Sequence, residues 1–434
     1  MVKGIRAYNL YPKLIGSMNN WIEHFDRIQA MNFDWLYINP INYPGFSGSD
    51  YAVKDYYQYH PLYVTGNMDF TNPEQNVDQG NKLLQKVCQE AEQRGIKVMM
   101  DIVINHTAFD STLTQQHPNW YQRDKHGKLI HPGAEDGAQW VEWKDLAQID
   151  NAHSQDRDNL WNYWLEMIFF YMDLGVRGFR CDAAYHVPTQ LWAFLIPRIK
   201  ERYPDAIFLG ETLGCTSKQV IAIAEVGFDF ISNSFRWWDL KEHWFLEQNK
   251  AFSAYAPSLS FPENHDTVRC AEEFNGNSQQ ALLRYELGAY ICASISTTIG
   301  FEYGFERQIN VVETNPSWWE PVRYDISDEI SIINQIKANY QVLQEDNVFE
   351  LLTFNESQIF GFIKQSRNGQ EKIMVLANVD AFSMRTVRNL HIYEMMGSHR
   401  VQDISRGHQM ADVPEYLEYH LHPGEVKLFY SVEN

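Results

Sequence analysis

The stretch GFRCDAAYH, residues 178–186, is a short apolar run that ends in charged and polar residues. Three other segments share this form: DIVINH at 101–106, FLGET at 208–212 and FPENHD at 261–266. In each of them a buried strand is predicted to end in polar side chains, which are rare in a hydrophobic core. An Asp or Glu after one strand is commonly a helix cap. Four such ends in order along one chain indicate a functional site.

Dense apolar runs recur along the first three quarters of the chain, with helix-like segments between them. The predicted strands are residues 4–10, 35–40, 97–104, 178–182, 207–211, 228–232, 258–262 and 294–300. Their apolar density is typical of strands that are buried on both faces of a parallel sheet. Eight strand–helix units in about 345 residues predict an α/β fold, a closed (β/α)8 or TIM barrel. A doubly wound open sheet is the alternative, but eight units favour closure.

Two changes of pattern divide the chain into regions. The connection after the third strand is too long for a plain loop, so residues 107–156 are predicted to form a small irregular insert. Residues 1–106 and 157–345 then form the catalytic barrel. Over residues 346–434, strand-like runs such as KIMVLANV and VKLFYSV alternate with turns, which predicts a C-terminal antiparallel β-sandwich.

The charge balance narrows the classes of partner. Lys and Arg number 36 against 56 Asp and Glu, which gives a formal net charge of −20. Such a charge argues against nucleic acid or an anionic membrane as the main partner and permits a neutral substrate. The sequence does not indicate an oligomeric state.

The cysteines and the first residues bear on the cellular compartment. The five cysteines form an odd set without a CxxC spacing, so neither a zinc site nor a disulfide framework is expected, and reduced thiols fit the cytosol. The start, MVKGIRAYNLYPKL, lacks the apolar stretch of a signal peptide, and no run approaches the length of a membrane span. If the chain is complete, we expect a cytoplasmic location.

The strand ends carry carboxyl groups in contrasting surroundings. Arg180 and Asp182 are two residues apart on one strand and therefore point the same way. Either they form a structural ion pair, or Arg180 keeps Asp182 ionised, as a carboxylate nucleophile requires. Glu211 follows the apolar residues FLG without an adjacent basic residue, which should raise its pKa and keep it protonated as a general acid. Acid-assisted glycosidic cleavage needs two carboxyl groups with separated pKa values.

These four segments resemble the conserved regions of the α-amylase superfamily, glycoside hydrolase family 13, in the same order and on the same strands. The resemblance implies Asp182 as the nucleophile, Glu211 as the acid/base and Asp266 as the third carboxylate, which grips the sugar's 2- and 3-hydroxyls. It also implies a set of substrate-binding residues, which are Tyr51, Asp101, His106, Arg180 and His265. For Tyr51, in GSDYAVKDYY, a core tyrosine is the alternative, because this stretch holds several tyrosines.

The chain departs from the family pattern in two places. Families that hold calcium usually supply an Asn at position 105, an Asp from the insert and the backbone carbonyl at position 186. Gln148, in LAQID, stands where that Asp would be, and a neutral amide is a poorer ligand for a hard cation. We therefore expect no tightly bound calcium and no other metal or cofactor, with Asp150 as the replacement if the alignment shifts. Tyr185 replaces a common lysine, which predicts different subsites on the leaving-group side.

The resemblance implies a retaining α-glycosidase that acts on α-1,4-glucan or maltooligosaccharides through a covalent glycosyl-enzyme, as an α-amylase-like hydrolase. A glucanotransferase or maltosyltransferase would use the same residues. The stretch GFDFISNSFRWW resembles maltosyltransferases, although these typically lack the histidine found here as His265. A non-catalytic glucan-binding relative is the second alternative, and its mark would be a lost carboxylate. A TIM-barrel enzyme that uses phosphate would need a Gly-rich loop after strands seven and eight, which is absent from the sequence.

Overall fold

The centre of the protein is a closed barrel. The computed structural model describes residues 3–71, 73–136, 139–240, 244–347 and 349–432. Within these residues, eight parallel strands pair in chain order and the last pairs with the first, which confirms the predicted (β/α)8 barrel. The strands are β1 (Arg6–Leu10), β2 (Trp35–Ile38), β3 (Lys97–Ile102), β4 (Gly178–Cys181), β5 (Ile207–Gly210), β6 (Phe230–Ser232), β7 (Ser258–Ser260) and β8 (Ser294–Thr298).

Helices surround the barrel and bury their apolar sides against it. The α-helices are Pro12–Ile15, Met18–Ile22, Phe25–Ala30, Pro61–Thr65, Val77–Gln93, Leu113–Gln116, Arg157–Asp173, Thr189–Arg202, Ser217–Glu225, Trp244–Ser253, Cys270–Glu273, Ser278–Ile291, Ser327–Asn339 and Ile392–Met396. Short 3-10 helices are Pro73–Asn76, Pro118–Trp120, Ala184–His186, Phe235–Trp237, Phe301–Tyr303, Pro316–Trp318 and Gln341–Gln344. The helix Val77–Gln93 buries Leu84, Val87 and Ala91, which lie three or four residues apart on one face.

The interior of the barrel changes from apolar to polar along its axis. An apolar cluster inside the barrel includes Ala7, Trp35, Met99 and Leu209. Side chains on a strand alternate, so the residue two positions further on points the same way. On these strands the residues two positions further are Asn9, Tyr37, Asp101 and Glu211. The carboxyl ends of the strands therefore form a polar mouth above an apolar interior.

Loop segments that follow β2 and β3 cover one side of this mouth. After β2, Asn42–Pro44 pairs with Val53–Tyr59. After β3, His106–Ala108 pairs antiparallel with Leu146–Gln148, and Gly133–Asp136 pairs with Gln139–Glu142. The irregular insert after the third strand is thus present in the fold, and its exact domain boundaries at 107 and 156 stay predictions.

The C-terminal region is built from antiparallel strands. These strands are β9 (Phe349–Leu351), β10 (Ile359–Gln365), β11 (Glu371–Asn378), β12 (Arg385–His391), β13 (Val401–Asp403), β14 (Tyr416–Leu421) and β15 (Val426–Val432). Over the described residues, five of them form a sheet in the order β9-β10-β11-β15-β13, while β12 pairs with β14.

The C-terminal sheet packs on both of its faces, as a layered β structure requires. On one face Met374, Leu376 and Phe429 contact Leu390 and Leu417 of the β12–β14 pair. Residues on the other face join the large core of the barrel; they include Phe360, Phe362, Val375 and Leu428. The predicted start of this region at residue 346 stays a prediction.

Candidate active site

Arg180 joins the ends of three barrel strands at the polar mouth. It lies opposite Asp101 in the pairing of β3 with β4. Its Nη1 donates hydrogen bonds of 2.8 Å to Asp101 Oδ2 and of 2.8 Å to Asp182 Oδ1. Its Nη2 lies 3.9 Å from Glu211 Oε2. One buried guanidinium therefore balances the negative charge of a carboxylate cluster.

Glu211 is held by backbone groups and is shielded from water. Ala183, whose φ of 40° is left-handed, donates its N–H to Glu211 Oε2 over 2.9 Å, and Leu213 donates to Oε1 over 2.5 Å. A non-glycine residue in this conformation carries strain, which the surrounding contacts must offset. Burial, opposed by Arg180 and reinforced by Asp182, raises the pKa of Glu211 to about 7. The rise has the direction expected for a general acid.

Tyr51, His265 and Asp266 form a second group on the opposite side of Asp101. The Tyr51 hydroxyl lies 2.7 Å from Asp101 Oδ2 and 2.7 Å from His265 Nε2, and the two rings stack 5.5 Å apart at 8°. His265 Nε2 lies 3.1 Å from Asp266 Oδ2, and the Asp266 side chain is 57% exposed. The hydroxyl contacts place Tyr51 in the site, whereas the core alternative would bury it elsewhere. Asp266 is the carboxylate that faces open solvent.

Two buried histidines border this group. His106 Nε2 lies 3.2 Å from the backbone oxygen of Tyr51. Burial lowers the pKa of both His106 and His265, which makes the neutral imidazole the dominant form near neutral pH. The Nδ1 atoms of both rings have no hydrogen-bond partner in the part of the chain that the structure describes. A neutral imidazole has one donor and one acceptor nitrogen, so each ring can still donate or accept a hydrogen bond through Nε2.

The structure brings every predicted site residue into one cluster at the mouth of the barrel. These residues are Asp182, Glu211, Asp266, Tyr51, Asp101, His106, Arg180 and His265. Their proximity follows from the parallel strand order, because the carboxyl ends of all the strands meet at one rim. Their individual chemical roles stay predictions.

The sequence analysis missed three residues of this network. Tyr37 donates its hydroxyl proton toward Asp101 Oδ2 over 2.8 Å, and Asn39 Nδ2 donates to the Tyr51 hydroxyl over 2.9 Å. Asn9 Nδ2 donates to Asn39 Oδ1 over 2.7 Å. The period of two along a strand could have found them, because it places their side chains on the interior face. Asn9 lies two positions after Ala7, and Tyr37 and Asn39 lie two and four positions after Trp35.

Gln148 and Asn105 lie where the calcium-holding families bind their ion, and the two residues contact each other. Gln148 Nε2 donates to the backbone oxygen of Asn105 over 3.0 Å. The amide nitrogen of Gln148 thus faces the Asn105 backbone and not its side-chain oxygen, and the expectation that no calcium is bound stays a prediction. Asp150 Oδ1 accepts the backbone N–H of His153 over 2.9 Å. Among the described residues, no group of three His, Cys, Asp or Glu side chains has the arrangement of a metal site.

Comparisons of sequence give related proteins of one superfamily. Residues 1–129 match the family model described as "Glycogen debranching enzyme, glucanotransferase domain". An α-1,4-glucan:maltose-1-phosphate maltosyltransferase of Burkholderia pseudomallei is 22% identical over 84% of this chain and 32% of its own length. A protein of the same name from Picrophilus torridus is 22% identical over 96% of this chain and 68% of its own length. The chain thus spans about one third of the first of these relatives and about two thirds of the second.

The similar solved structures include α-amylases and a trehalose-6-phosphate hydrolase from Bacillus licheniformis. An α-amylase from Lactobacillus plantarum aligns with a TM-score of 0.77 at 20% identity, over 99% of each chain. An α-amylase from Geobacillus thermoleovorans, solved with acarbose, aligns with a TM-score of 0.78 at 16% identity, over 99% of this chain and 98% of its own. At such identities the likeness shows the fold.

The fold and the sequence relatives point to the same superfamily. The predicted resemblance to the α-amylase superfamily, glycoside hydrolase family 13, is confirmed. The resemblance to the maltosyltransferase branch is confirmed as well. A further finding concerns membranes: within the described ranges, no helix has both the length and the apolar character that a membrane crossing requires.

Proposed function

We propose that this protein cleaves α-1,4-glycosidic bonds of an α-glucan or maltooligosaccharide with retention of anomeric configuration. One observation carries the proposal: Arg180 binds the Asp182 carboxylate directly, while Glu211 is buried with a pKa raised to about 7. A retaining glycosidase needs this pairing of an ionised nucleophile with a protonated acid.

The reaction proceeds in two displacements. Asp182 attacks the anomeric carbon, and the Glu211 proton passes to the departing oxygen as the glycosidic bond breaks. The product of this step is a covalent ester between Asp182 and the sugar. Glu211, now a carboxylate, takes a proton from water or from a sugar hydroxyl, whose oxygen attacks the same carbon and releases Asp182. The Arg180 ion pair stabilises the Asp182 carboxylate before the first step and after the second.

The residues around the nucleophile bind the sugar that reacts. Asp266 is exposed at the mouth and its two carboxylate oxygens can accept hydrogen bonds from neighbouring hydroxyls. His265, stacked on Tyr51, fixes the Asp266 carboxylate from behind. His106 presents a neutral ring from the side of the insert. This group supplies the contacts that tighten as the sugar ring distorts.

The acceptor of the glycosyl group defines two candidate functions. Hydrolysis by water is our first proposal, because His265 is present where the maltosyltransferase branch typically lacks a histidine. Transfer to a sugar is the second, because the relatives from B. pseudomallei and P. torridus are named as maltosyltransferases. The third interpretation, a non-catalytic glucan-binding protein, is disfavoured by the complete set of carboxylates.

Product analysis with maltoheptaose, with and without maltose 1-phosphate, separates these functions. Only shorter oligosaccharides in both mixtures would indicate hydrolysis. Longer products that need maltose 1-phosphate would indicate maltosyl transfer, and longer products in its absence would indicate disproportionation. The anomeric proton signals of the first product, recorded before mutarotation, should show the α configuration. A β product, or no product with the wild-type chain, would contradict the proposal.

We also propose that the site works without calcium, with the Gln148 amide in the place of an ion. The contact of Gln148 Nε2 with the Asn105 carbonyl supports this proposal, because it ties the insert to the end of β3. A cytoplasmic location is proposed on the odd set of five cysteines, which suits a reducing compartment. The formal net charge of −20 makes nucleic acids and anionic membranes unsuitable partners.

A further inference from the structure

Two buried asparagines, Asn9 and Asn39, stand at the start of the hydrogen-bond network that reaches the carboxylates. Asn9 Nδ2 donates to the backbone oxygen of Tyr37 over 3.2 Å and to Asn39 Oδ1 over 2.7 Å. A carbonyl oxygen only accepts, so the Asn9 atom facing Tyr37 must be the nitrogen. The Asn39 atom facing Asn9 must then be its oxygen.

This orientation of Asn39 decides the direction of the next hydrogen bonds. Asn39 Nδ2 faces the hydroxyl oxygens of Tyr51 at 2.9 Å and of Tyr37 at 3.3 Å. An amide nitrogen donates and does not accept, so both hydroxyl oxygens accept from Asn39. Each tyrosine must direct its single proton elsewhere, and Asp101 Oδ2 lies 2.7 Å from one hydroxyl and 2.8 Å from the other.

The same reasoning fixes the proton of His265. Asp101 Oδ2 also accepts from Tyr37 and Arg180, so the Tyr51 proton is directed to this oxygen and not to His265. In the 2.7 Å contact between Tyr51 and His265 the imidazole Nε2–H is then the donor. Nε2 also lies 3.1 Å from Asp266 Oδ2, which can only accept while ionised. The free Nδ1 agrees with a neutral ring protonated on Nε2.

We propose that Asn39, oriented by Asn9, is a positioning residue that acts together with Asp101 to set the direction of the hydrogen bonds from β2 through Tyr51 to His265. The inference rests on the proposed function of the site. Asp101 Oδ2 accepts hydrogen bonds from Tyr37, Tyr51 and Arg180. Because the two tyrosines share this oxygen with Arg180, Arg180 Nη1 stays between Asp101 and Asp182. Reversing the tyrosine protons would draw Arg180 toward Asp101 and away from the nucleophile.

A purely structural role would not explain the cost of this arrangement. Asn9 Oδ1 is buried and has no hydrogen-bond partner among the residues that the structure describes. An unpaired buried acceptor is unfavourable, and an apolar residue of similar shape would avoid it. The Asn9 amide is instead oriented so that its nitrogen donates hydrogen bonds to the Tyr37 backbone oxygen and to Asn39.

The substitution Asn39→Asp tests the direction of the bonds, because it keeps the shape and replaces the donor by a group that accepts once ionised. Asn39→Ala is the matched control, since it removes the donor without adding a charge. We expect kcat of Asn39→Asp, divided by that of wild type, to fall roughly tenfold or more between about pH 5 and about pH 8 as the introduced carboxyl ionises. The ratio for Asn39→Ala should stay flat with pH, and KM should change less than kcat in both variants.

Thermal unfolding of both variants at each pH shows whether they remain folded. Equal losses of kcat in the two variants at every pH would overturn the proposal, as would wild-type activity of Asn39→Asp at about pH 8.

A second measurement does not depend on activity: the 15N spectrum of histidine-labelled wild type, with His265 assigned from a His265→Gln sample, should show protonation on Nε2. Protonation on Nδ1 would overturn the proposed bond directions. If the protein fails to act on maltoheptaose but His265 carries its proton on Nε2, the proposed function fails and the bond directions stand.

Discussion

The two ends of the barrel bury charge in different ways. At the carboxyl ends, Arg180 is bound by the side chains of Asp101 and Asp182, so that the ions satisfy one another. At the amino ends, Lys337 Nζ donates to the backbone oxygens of Ala289 and Cys292, each over 2.7 Å, and of Leu343.

Asp346 repeats the amino-end pattern with the opposite charge. Its carboxylate accepts backbone N–H groups from Ala293, over 2.6 Å, and from Ser258 at the start of β7. A charged side chain whose hydrogen bonds all go to backbone groups holds the chain in place, and it has no free donor or acceptor for a ligand. The mouth differs, since the Asp266 side chain there is 57% exposed and can reach a ligand. Charges at the mouth therefore serve binding and chemistry, whereas charges at the base serve stability.

The largest expected effect comes from removing a charge at the mouth. Asp182→Asn or Glu211→Gln should lower kcat by at least about 1,000-fold, because each removes a group that the two displacements require. Far-UV circular dichroism should stay unchanged. The control is Asp158→Asn, whose side chain is 89% exposed on an outer helix and should leave kcat unchanged. A kcat within tenfold of wild type for either site variant would remove the mechanism.

At the amino ends the opposite result is expected. Lys337→Met keeps the length of the side chain but leaves three buried carbonyls without a donor, which should lower the free energy of unfolding by about 3 kcal/mol. Denaturant unfolding measures this loss, with the exposed Lys125→Met as the control. At temperatures where the variant is folded, kcat should match wild type. A large loss of kcat without a loss of stability would contradict the division between the two ends.

The pH dependence of Glu211 gives an effect of intermediate size. Its pKa is raised from 4.5 to about 7, so kcat/KM should fall as pH rises through about 7 and the general acid loses its proton. The folded state holds this proton more tightly than the unfolded state. Its contribution to stability is therefore complete below about pH 4.5 and is lost as pH rises through about 7.

Glu211→Gln should remove this linkage. The unfolding temperature of the variant relative to wild type should accordingly rise between about pH 5 and about pH 8. The exposed Glu418→Gln is the control and should show a constant difference across this range. A difference that is flat for both variants would show that Glu211 is ionised in the folded protein.

The smallest effect is expected from metal removal. EDTA should leave the unfolding temperature unchanged, because the Gln148 amide holds the Asn105 carbonyl without an ion. Gln148→Asp replaces this donor by a carboxylate and should make the unfolding temperature rise when calcium is added. A drop of several degrees for wild type in EDTA would show that calcium binds elsewhere in the protein.

The sequence by itself determined the positions of the barrel strands and the identity of the residues at their carboxyl ends. Both signals are local: a strand shows its apolar density, and the period of two shows which polar residue shares a face with which. All eight predicted strands are present in the barrel, although the stretch 97–104 ends as a strand at Ile102, where the chain turns into the loop. Asp182 and Glu211 could be selected in this way.

Only the tertiary structure decided which of these groups bond to one another. The register of β3 against β4 sets Asp101 opposite Arg180, and no local pattern encodes a register between strands so far apart in sequence. The orientation of Asn39 depends on Asn9, a residue on the neighbouring strand, and the fit of Gln148 to Asn105 depends on how the insert folds back. Hydrogen bonds and burial act through space, so the residues of the site follow from the sequence, while their charges and proton directions follow from the fold.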